Sequence, residues 1–370
     1  MTRSLIITDA RIWTAETEYA AAVAGAEARM GIEVAVAAPK GSALLGAAAS
    51  ASCSFGLPGA EPSRSPADFL ADVRFLSDLA RGSRFDVVHS SRSTAHLLAA
   101  LAVGRRAPLV HLRGSASVPK GHAVNRFMYR RLTRSVVVSS SRVKSWVVER
   151  LRMPADRVHR IFVPVDTDAF SPRAPDPGLS GELGIGGGGP LVVNVARLAP
   201  VKGHEVLIDA FARVAAGRPG AVLVLVGEAW SGQPEGLRRR AADLGIEPSV
   251  VFAGRRTDVA RFLAAAAVCV SSSLGSEENS RAVSEYMASA RPVVATRVGV
   301  VPELVGGEAG LLVDPGDPDG LAAAIERILS DPDGARRMSE RARKRAVELL
   351  SRTAFAEQLE GVLRSVAASR

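Results

Sequence analysis

Two acids, Glu277 and Glu285, lie eight positions apart in a segment whose residue types suit the binding of a phosphate-bearing ligand. The apolar run 268–270 predicts a strand, the small polar residues 271–279 predict a turn, and 280–290 predicts a helix. The first amides of a helix have no partner inside it and can hold phosphate. In an open α/β sheet this turn lies at the carboxyl end of a parallel strand, where ligands bind. The pattern predicts one acid on the loop and one inside the helix, both facing a cleft. A surface turn with two solvated acids is the alternative interpretation.

Two cations follow another apolar run. Arg197 and Lys202 come directly after residues 191–195. An arginine can bind two phosphate oxygens at once, whereas a lysine acts as a point charge. Together they suit a diphosphate leaving group that develops charge. Neither this loop nor residues 8–16, after the first apolar run, contain G-x-G-x-x-G, which argues against a dinucleotide-binding dehydrogenase.

The composition is that of an ordinary globular protein. The chain has 370 residues, of which 47% are hydrophobic and 23% charged, and this length predicts two domains. Two distant cysteines, Cys53 and Cys269, indicate a reducing compartment and no disulfide framework. The apolar run 5–7 is too short for a secretory signal, and no run approaches the length of about 20 residues that spans a membrane. We therefore expect a cytoplasmic protein.

Strand and helix patterns alternate along the chain in two sets, which predicts an α/β protein with two doubly wound Rossmann-like domains. We expect a first domain at 1–172 and a linker rich in Pro, Gly and Ser at 173–190. A second domain is expected at 191–350, followed by a charged C-terminal helix at 351–370.

The positive charge is concentrated in one stretch. Residues 92–160 contain thirteen Arg and two Lys against two acids, so this stretch carries +13 and the rest of the chain −4, within a net charge of +9. Bases mixed with large apolar residues at 125–134 suit an anionic membrane face or a phosphorylated acceptor. No nucleic-acid-binding motif is present, and we expect no nucleic-acid partner. A solvated basic face explains the charge equally well.

Taken together, these motifs resemble the donor-binding half of glycosyltransferase family 4, whose members retain the sugar configuration and have the GT-B fold. The resemblance covers roughly residues 85–350. It rests on the acid, seven residues, acid signature from Glu277 to Glu285, on 194–198 followed by Lys202 and Gly203, and on the downstream segments 291–296, 299–303 and 310–315. The GT-B fold implies two Rossmann-like domains facing a central cleft, with the last helix crossing back to the first domain.

The resemblance also implies roles for individual residues. Glu285 would accept hydrogen bonds from the donor ribose, and Glu277 would orient the transferred sugar. Arg197, Lys202 and the amides near Ser280, Arg281 and Ala282 would replace a metal at the diphosphate, so no metal and no cofactor beyond the nucleotide-sugar substrate are expected. Further donor contacts are expected at Gly227, Gly254 and Arg255.

The first domain departs from the family pattern. Residues 13–18, with Glu16 among them, replace the usual glycine-rich loop, and an acid there would repel phosphate. Glu16 is expected on the acceptor side. His89, at a predicted strand end, and Arg92 and Arg113 match the acceptor side of the family, but Gly114 replaces the histidine that usually follows Arg113.

The resemblance and the departures from it leave three possible functions. The favoured one is a retaining, metal-independent transfer of sugar from a nucleotide-sugar donor to a glycan or lipid-linked acceptor, in the synthesis of lipopolysaccharide core or other cell-envelope polysaccharide. Such an enzyme would work in the cytoplasm, with peripheral attachment to the inner face of the membrane through 92–160. A degenerate GT-B protein that binds a nucleotide sugar or partner without turnover is the alternative, suggested by 13–18 and Gly114. A nucleotide-sugar epimerase is the third, and the acid signature argues against it.

Overall fold

A computed structural model describes residues 1–47, 51–59, 65–104, 106–114, 120–186, 188–229 and 233–368. Arg105 of the basic stretch and Gly187 of the predicted linker lie outside these ranges. The chain divides into two compact units, Met1–Pro164 with Arg352–Arg370, and Val165–Ser351. The first unit therefore ends eight residues before the predicted boundary at 172.

The segment predicted as a linker, 173–190, belongs to the second unit. It contains the short helix Gly178–Glu182, whose Leu179 is buried. The Arg261 guanidinium pairs with Asp176, which precedes this helix, and with Glu182, its last residue. Apolar burial and these ion pairs fix the segment in place, which composition alone did not reveal.

Within its described residues, the first unit has a seven-stranded parallel sheet of order β3-β2-β1-β4-β5-β6-β7. Its strands are β1 (Arg3–Thr8), β2 (Glu33–Pro39), β3 (Cys53–Leu57), β4 (Val87–Ser91), β5 (Leu109–Arg113), β6 (Ser135–Val138) and β7 (Val158–Arg160). The helices are α1 (Ala15–Arg29), α2 (Ala43–Ala47), α3 (Pro66–Gly82), α4 (Ser93–Val103), α5 (Ala123–Phe127), α6 (Ser141–Leu151) and the last helix of the chain, α15 (Arg352–Ala368). A π-helical turn, Met128–Leu132, continues α5.

The second unit, in the part that the structure describes, has a six-stranded parallel sheet of order β10-β9-β8-β11-β12-β13. Its strands are β8 (Leu191–Val195), β9 (Val222–Val226), β10 (Val250–Gly254), β11 (Val268–Ser271), β12 (Val293–Thr296) and β13 (Leu311–Val313). The helices are α7 (Gly178–Glu182), α8 (His204–Gly217), α9 (Gln233–Asp243), α10 (Val259–Ala265), α11 (Arg281–Ala288), α12 (Val301–Val305), α13 (Pro318–Ser330) and α14 (Pro332–Leu350).

The cores explain why these strands form. Strand residues such as Leu5, Val136 and Val224 are fully buried, because helices cover both faces of each sheet. Such strands read as continuous runs of β-branched and aliphatic residues. The prediction of two doubly wound Rossmann-like units is confirmed.

Two histidines lie stacked inside the core of the first unit. The rings of His96 and His111 are parallel, with centroids 3.9 Å apart, and the Tyr129 ring stands edge-on to both. The His96 Nε2 lies 2.7 Å from the Thr133 hydroxyl. Burial, and then the charge of Arg113, lower the pKa of His96 to about 3. Burial also lowers the pKa of His111 well below its ordinary value. Both rings are therefore neutral at pH 7.

We predict that this pair makes the first unit sensitive to acid. In the unfolded chain these two histidines bind protons near pH 6.5, whereas in the folded core they stay neutral. The free energy of unfolding therefore falls as the pH falls. Between pH 7 and pH 5, each such histidine should cost about 2 kcal/mol of unfolding free energy. The measurement is hydrogen-exchange protection of the β5 and β6 amides at both pH values. His96→Phe keeps an aromatic plane and should lose about half of the effect, whereas an unchanged pH dependence would contradict the assignment.

Candidate functional site

The strand order locates a crevice in the second unit. From β8 the chain passes to β9 on one side, whereas β11 pairs with β8 on the other side. Open α/β sheets bind ligands outside the carboxyl ends of the strands at such a switch point. The loops that leave β8 and β11 here, 196–203 and 272–280, carry the three predicted catalytic residues, Arg197, Lys202 and Glu277.

An ion pair joins the two loops. The Lys202 ammonium donates to the Glu277 Oε1, and the Ser273 hydroxyl donates to the same oxygen over 2.5 Å. Glu277 is only 7% exposed. No donor among the described residues reaches the other Glu277 oxygen, Oε2, which is therefore available to a ligand hydroxyl. The structure thus brings together Lys202 and Glu277, which were predicted from the sequence. It also adds Ser273, whose hydrogen bond to Glu277 was not predicted.

The backbone holds the same loops in contact. The Ser272 hydroxyl donates to the Lys202 carbonyl over 3.0 Å, and the Leu274 amide donates to the Val201 carbonyl over 2.8 Å. Gly203 has a φ of +65°, and a Cβ on it would lie 2.2 Å from the Ser272 carbonyl oxygen. Glycine is required there both for its conformation and for the close approach.

Helix α11 positions the second acid. It begins after Ser280, whose φ of 38° and ψ of 56° are left-handed, and the Ser280 side chain forms no capping hydrogen bond. Arg281 and Ala282, whose amides are predicted to bind phosphate, lie in its first turn. The Arg281 Nε donates to the Glu285 Oε1 over 2.7 Å, one helical turn apart. Glu285 is buried, whereas the Arg281 side chain is 59% exposed.

Tyr286 connects this helix to both central strands. Its hydroxyl accepts from the Val195 amide over 2.7 Å and donates to the Val270 carbonyl over 3.4 Å. Burial raises its pKa well above the ordinary value, so the phenol keeps its proton. The sequence analysis missed this contact, because nothing in the local pattern links position 286 to the end of β8.

Other predicted donor contacts lie at neighbouring strand ends. Arg197 follows β8 and is exposed, and Arg255 is exposed after β10. The Gly227 amide donates to the Gly254 carbonyl over 2.8 Å. A Cβ on Gly227 would lie 1.8 Å from the Ala196 carbonyl oxygen, so this glycine lets the Arg197 loop approach β9.

His204 lies buried at the start of α8, next to the Lys202 loop. Burial and then the Lys202 charge lower its pKa to about 4, so the ring adds no charge to the crevice at pH 7. In the described ranges, no group of three His, Cys, Asp or Glu side chains is placed to hold a metal ion.

In the first unit, the loop expected at 13–18 is largely helix. Helix α1 begins at Ala15, inside the segment expected to form the loop, because the Thr14 hydroxyl caps it by accepting from the Thr17 amide over 3.2 Å. Glu16 and Glu18 lie in its first turn, where negative charge is favourable. The acid predicted to repel phosphate thus already occupies this helix N-terminus.

The structure corrects the prediction for His89. It lies inside β4 rather than at the strand end, is fully buried, and its Nε2 is 2.7 Å from the Glu27 Oε1. The Ser4 hydroxyl donates to the other Glu27 oxygen, Oε2, over 2.6 Å. A side chain held in this buried network cannot touch an acceptor.

The two arginines of the acceptor prediction differ in exposure. Arg92 lies directly after β4 with a φ of 75°, and its Nε is 3.4 Å from the Asp9 carboxylate. Arg113 ends β5, is 4% exposed, and donates to the Tyr129 hydroxyl over 3.3 Å. Arg92 is therefore the more accessible of the two.

No described helix is long and apolar enough to cross a membrane.

Comparisons with known proteins cover both units. The family model described as Glycosyltransferase Family 4 matches residues 17–169, and the one described as Glycosyl transferases group 1 matches residues 189–331. A lipopolysaccharide core biosynthesis glycosyltransferase of Rhizobium meliloti (strain 1021) is 38% identical over 169 residues, 45% of this chain and 48% of that protein. A D-inositol 3-phosphate glycosyltransferase of Frankia alni is 30% identical over 80% of this chain and 77% of that protein.

The extent of these matches differs. The Rhizobium relative and two further curated relatives are matched over 41% to 56% of their own length, so the chain spans about half of each. Among solved structures, an Anabaena protein in complex with UDP has a TM-score of 0.83, with 22% identity over 98% of this chain and 100% of that one. At this identity the likeness shows the fold alone, and it confirms the predicted GT-B fold.

The close approach at Gly227 gives a second prediction. Gly227→Ala should lower the unfolding free energy of the second unit by about 3 kcal/mol, because the new methyl group meets a backbone oxygen that cannot move alone. Urea unfolding measures the change. Gly236→Ala is the matched control. Gly236 lies in α9, and a Cβ on it would have no atom within 4 Å, so this substitution should raise the unfolding free energy by roughly 0.5–1 kcal/mol. Equal effects of the two substitutions would contradict the steric argument.

Proposed function

This chain belongs to the glycosyltransferase family described as group 1 and family 4, and on that premise we propose that it is an active, retaining glycosyltransferase that needs no metal. It moves a sugar from a nucleotide-sugar donor to a glycan or lipid-linked acceptor of the cell envelope. The observation that carries the proposal is the Lys202–Glu277–Ser273 cluster at the β8/β11 switch point, with Glu285 on the adjoining helix.

The diphosphate would be held by cations and amides. Arg197 is exposed just after β8, and the first turn of α11 begins at Arg281. Guanidinium groups and backbone amides stabilise the charge that develops on a leaving phosphate. Lys202 is fixed by Glu277 and adds a second positive charge at this position. These groups would stabilise the charge on the leaving diphosphate, as a metal ion does in other transferases.

The two acids would hold the rest of the donor. Glu277 keeps Oε2 available for a sugar hydroxyl, while Lys202 and Ser273 fix its Oε1. Glu285 would accept from the two ribose hydroxyls, which requires Arg281 to leave it. The released guanidinium would then face the diphosphate.

The transfer would occur on one face of the sugar. The acceptor oxygen bonds to the anomeric carbon as the bond from that carbon to the phosphate oxygen breaks, and the leaving phosphate takes the acceptor proton. No protein nucleophile is needed in such a step. The protein supplies position and charge stabilisation.

Relatives suggest the kinds of donor and acceptor. The Anabaena neighbour binds UDP, and the curated relatives are named for lipopolysaccharide core and inositol phosphate. We propose a cytoplasmic enzyme of lipopolysaccharide core or related envelope glycan synthesis, held at the inner membrane face by its basic stretch. The exposed Trp13, after β1, offers an aromatic face on which an acceptor sugar can stack.

A second candidate function rests on α1. Glu16 and Glu18 occupy the first turn of this helix, where an active relative would place uncharged glycines near the diphosphate. A degenerate protein that binds a nucleotide sugar without turnover would tolerate these acids.

We predict that one of UDP, GDP or ADP binds without metal, and that Glu285→Gln weakens its binding roughly tenfold to 100-fold. The loss follows from exchanging charge-assisted hydrogen bonds to the ribose for neutral ones. Calorimetry with and without Mg²⁺ measures it. Glu235→Gln, an exposed acid of the same unit, is the control and should change nothing. Absence of any nucleotide binding at millimolar concentration would overturn both candidate functions.

Turnover separates the candidates. The active enzyme should hydrolyse its nucleotide sugar slowly without acceptor, and Lys202→Met should lower this rate about 100-fold to 1000-fold, as expected when one charge-stabilising donor is lost. Lys344→Met, on the exposed face of α14, is the matched control. Donor binding without hydrolysis, even with added acceptor glycans, would favour the degenerate protein. Release of an epimerised free sugar would identify an epimerase.

A further inference from the structure

Arginines surround a cavity in the first unit, at the sheet edge opposite to the carboxyl ends of the strands. The cavity has a volume of about 640 Å³, in the range of small-molecule sites, and it lies between the starts of β5, β6 and β7. Its described lining includes Arg106, Arg130, Arg131, Arg134 and Arg157.

The position excludes the cavity from the site described above. Leu109, at the start of β5, lines it, whereas Arg113 ends the same strand. A rise of roughly 3.3 Å per residue places these strand ends about 13 Å apart. A ligand in the cavity would therefore not occupy the carboxyl edge, where donor or acceptor groups are expected.

One arginine builds the wall. The Arg157 Nε donates to the Arg134 carbonyl over 2.8 Å, and its Nη1 donates to the Arg130 carbonyl over 3.3 Å. Burial and then the charge of Arg134 lower its pKa. Arg157 thus holds the end of the π-helical turn Met128–Leu132 against the start of β6, and this fixes the backbone that carries the other arginines.

Three of the other guanidinium groups have no acidic partner among the described residues. Arg106, Arg130 and Arg131 are exposed, and none of them forms an ion pair with a described residue. No acid is among the described residues that line the cavity. Like charges gathered around one cavity repel each other, and an anion bound between them relieves that repulsion.

The side-chain chemistry selects the anion. Guanidinium groups form paired hydrogen bonds with phosphate, and several of them match a group with two or more negative charges. Leu109, Leu132 and Val366 give the cavity apolar walls beside these charges. We propose that this cavity binds a phosphorylated group, either of a soluble phosphate ester or of a lipid headgroup. The inference does not rest on the proposed transferase activity.

The test compares two double variants with the same loss of charge. Arg130→Gln/Arg131→Gln removes two exposed guanidinium groups of the cavity. Arg81→Gln/Arg84→Gln removes two exposed ones from α3 and the residues after it in the same unit. Calorimetry with inorganic pyrophosphate probes the soluble source. Sedimentation with phosphatidylglycerol–phosphatidylcholine vesicles, compared with phosphatidylcholine alone, probes the lipid source.

We expect the cavity variant to lose about 100-fold in affinity for one of the two probes, since each charge-assisted contact contributes roughly tenfold. The control variant should stay within about twofold. The wild type and both double variants keep the crevice of the second unit unchanged. Any pyrophosphate that binds there contributes equally to all three proteins and does not affect the difference between them.

Either probe responding in this way supports the site and identifies its source. Equal binding by the two double variants, or no binding of either probe to the wild type, would overturn the inference. Donor hydrolysis should be unchanged in Arg130→Gln/Arg131→Gln, so failure of this site and failure of the proposed transferase are distinguishable.

Discussion

The ion pair between Lys202 and Glu277 is the constraint on which the second unit's crevice depends. The Lys202 side chain is 21% exposed and the Glu277 side chain 9% exposed, so water solvates neither charge well and each is compensated by the other. The two loops must therefore meet, and their backbones adapt to the meeting. Gly299 shows the consequence: its φ is +55°, and a Cβ on it would lie 2.2 Å from the Glu277 carbonyl oxygen. Gly203 and Gly299 thus allow the backbone to pass close to the loop that carries Glu277. Glycine is needed at both positions for its conformation and small size, and not for any chemistry of its own.

The same constraint reaches α11 through the strands. Tyr286 ties the helix to the ends of β8 and β11, and Val283 and Met287 are fully buried beside it. Each such apolar side chain contributes roughly 1.5–3 kcal/mol by burial. The backbone under Glu285 is consequently rigid, and adjustment to a ligand falls to the exposed Arg281 side chain. A rigid acid and a movable cation are what a site needs if it is to bind a hydroxyl pair and a phosphate in succession.

The sequence permitted prediction of most central strands, because apolar runs such as 222–226 are buried on both faces and have one interpretation. Edge strands β3 and β7 were missed: Cys53–Leu57 contains serine and glycine, and Val158–Arg160 contains histidine and arginine. The start of α1 was misjudged because its Thr14 cap was not considered. His89 was misplaced because its partner, Glu27, lies 62 positions away. Spacing identified Glu277 and Glu285, but their hydrogen-bond partners Ser273 and Arg281 depend on side-chain geometry that spacing does not determine.

The pairing of Arg281 with Glu285 does not by itself favour a degenerate protein. A pair at i and i+4 with an exposed arginine contributes about 0.3–0.5 kcal/mol. A hydrogen bond from a ribose hydroxyl to a charged carboxylate contributes about 1.5–3 kcal/mol, and two hydroxyls are available. The ligand therefore displaces the guanidinium at little cost. The acids of α1 differ, since Glu16 and Glu18 belong to a capped helix turn and cannot leave it without unwinding it. The choice between an active and a degenerate protein consequently depends on the N-terminus of α1, in the first unit, and not on the acid signature that identified the family.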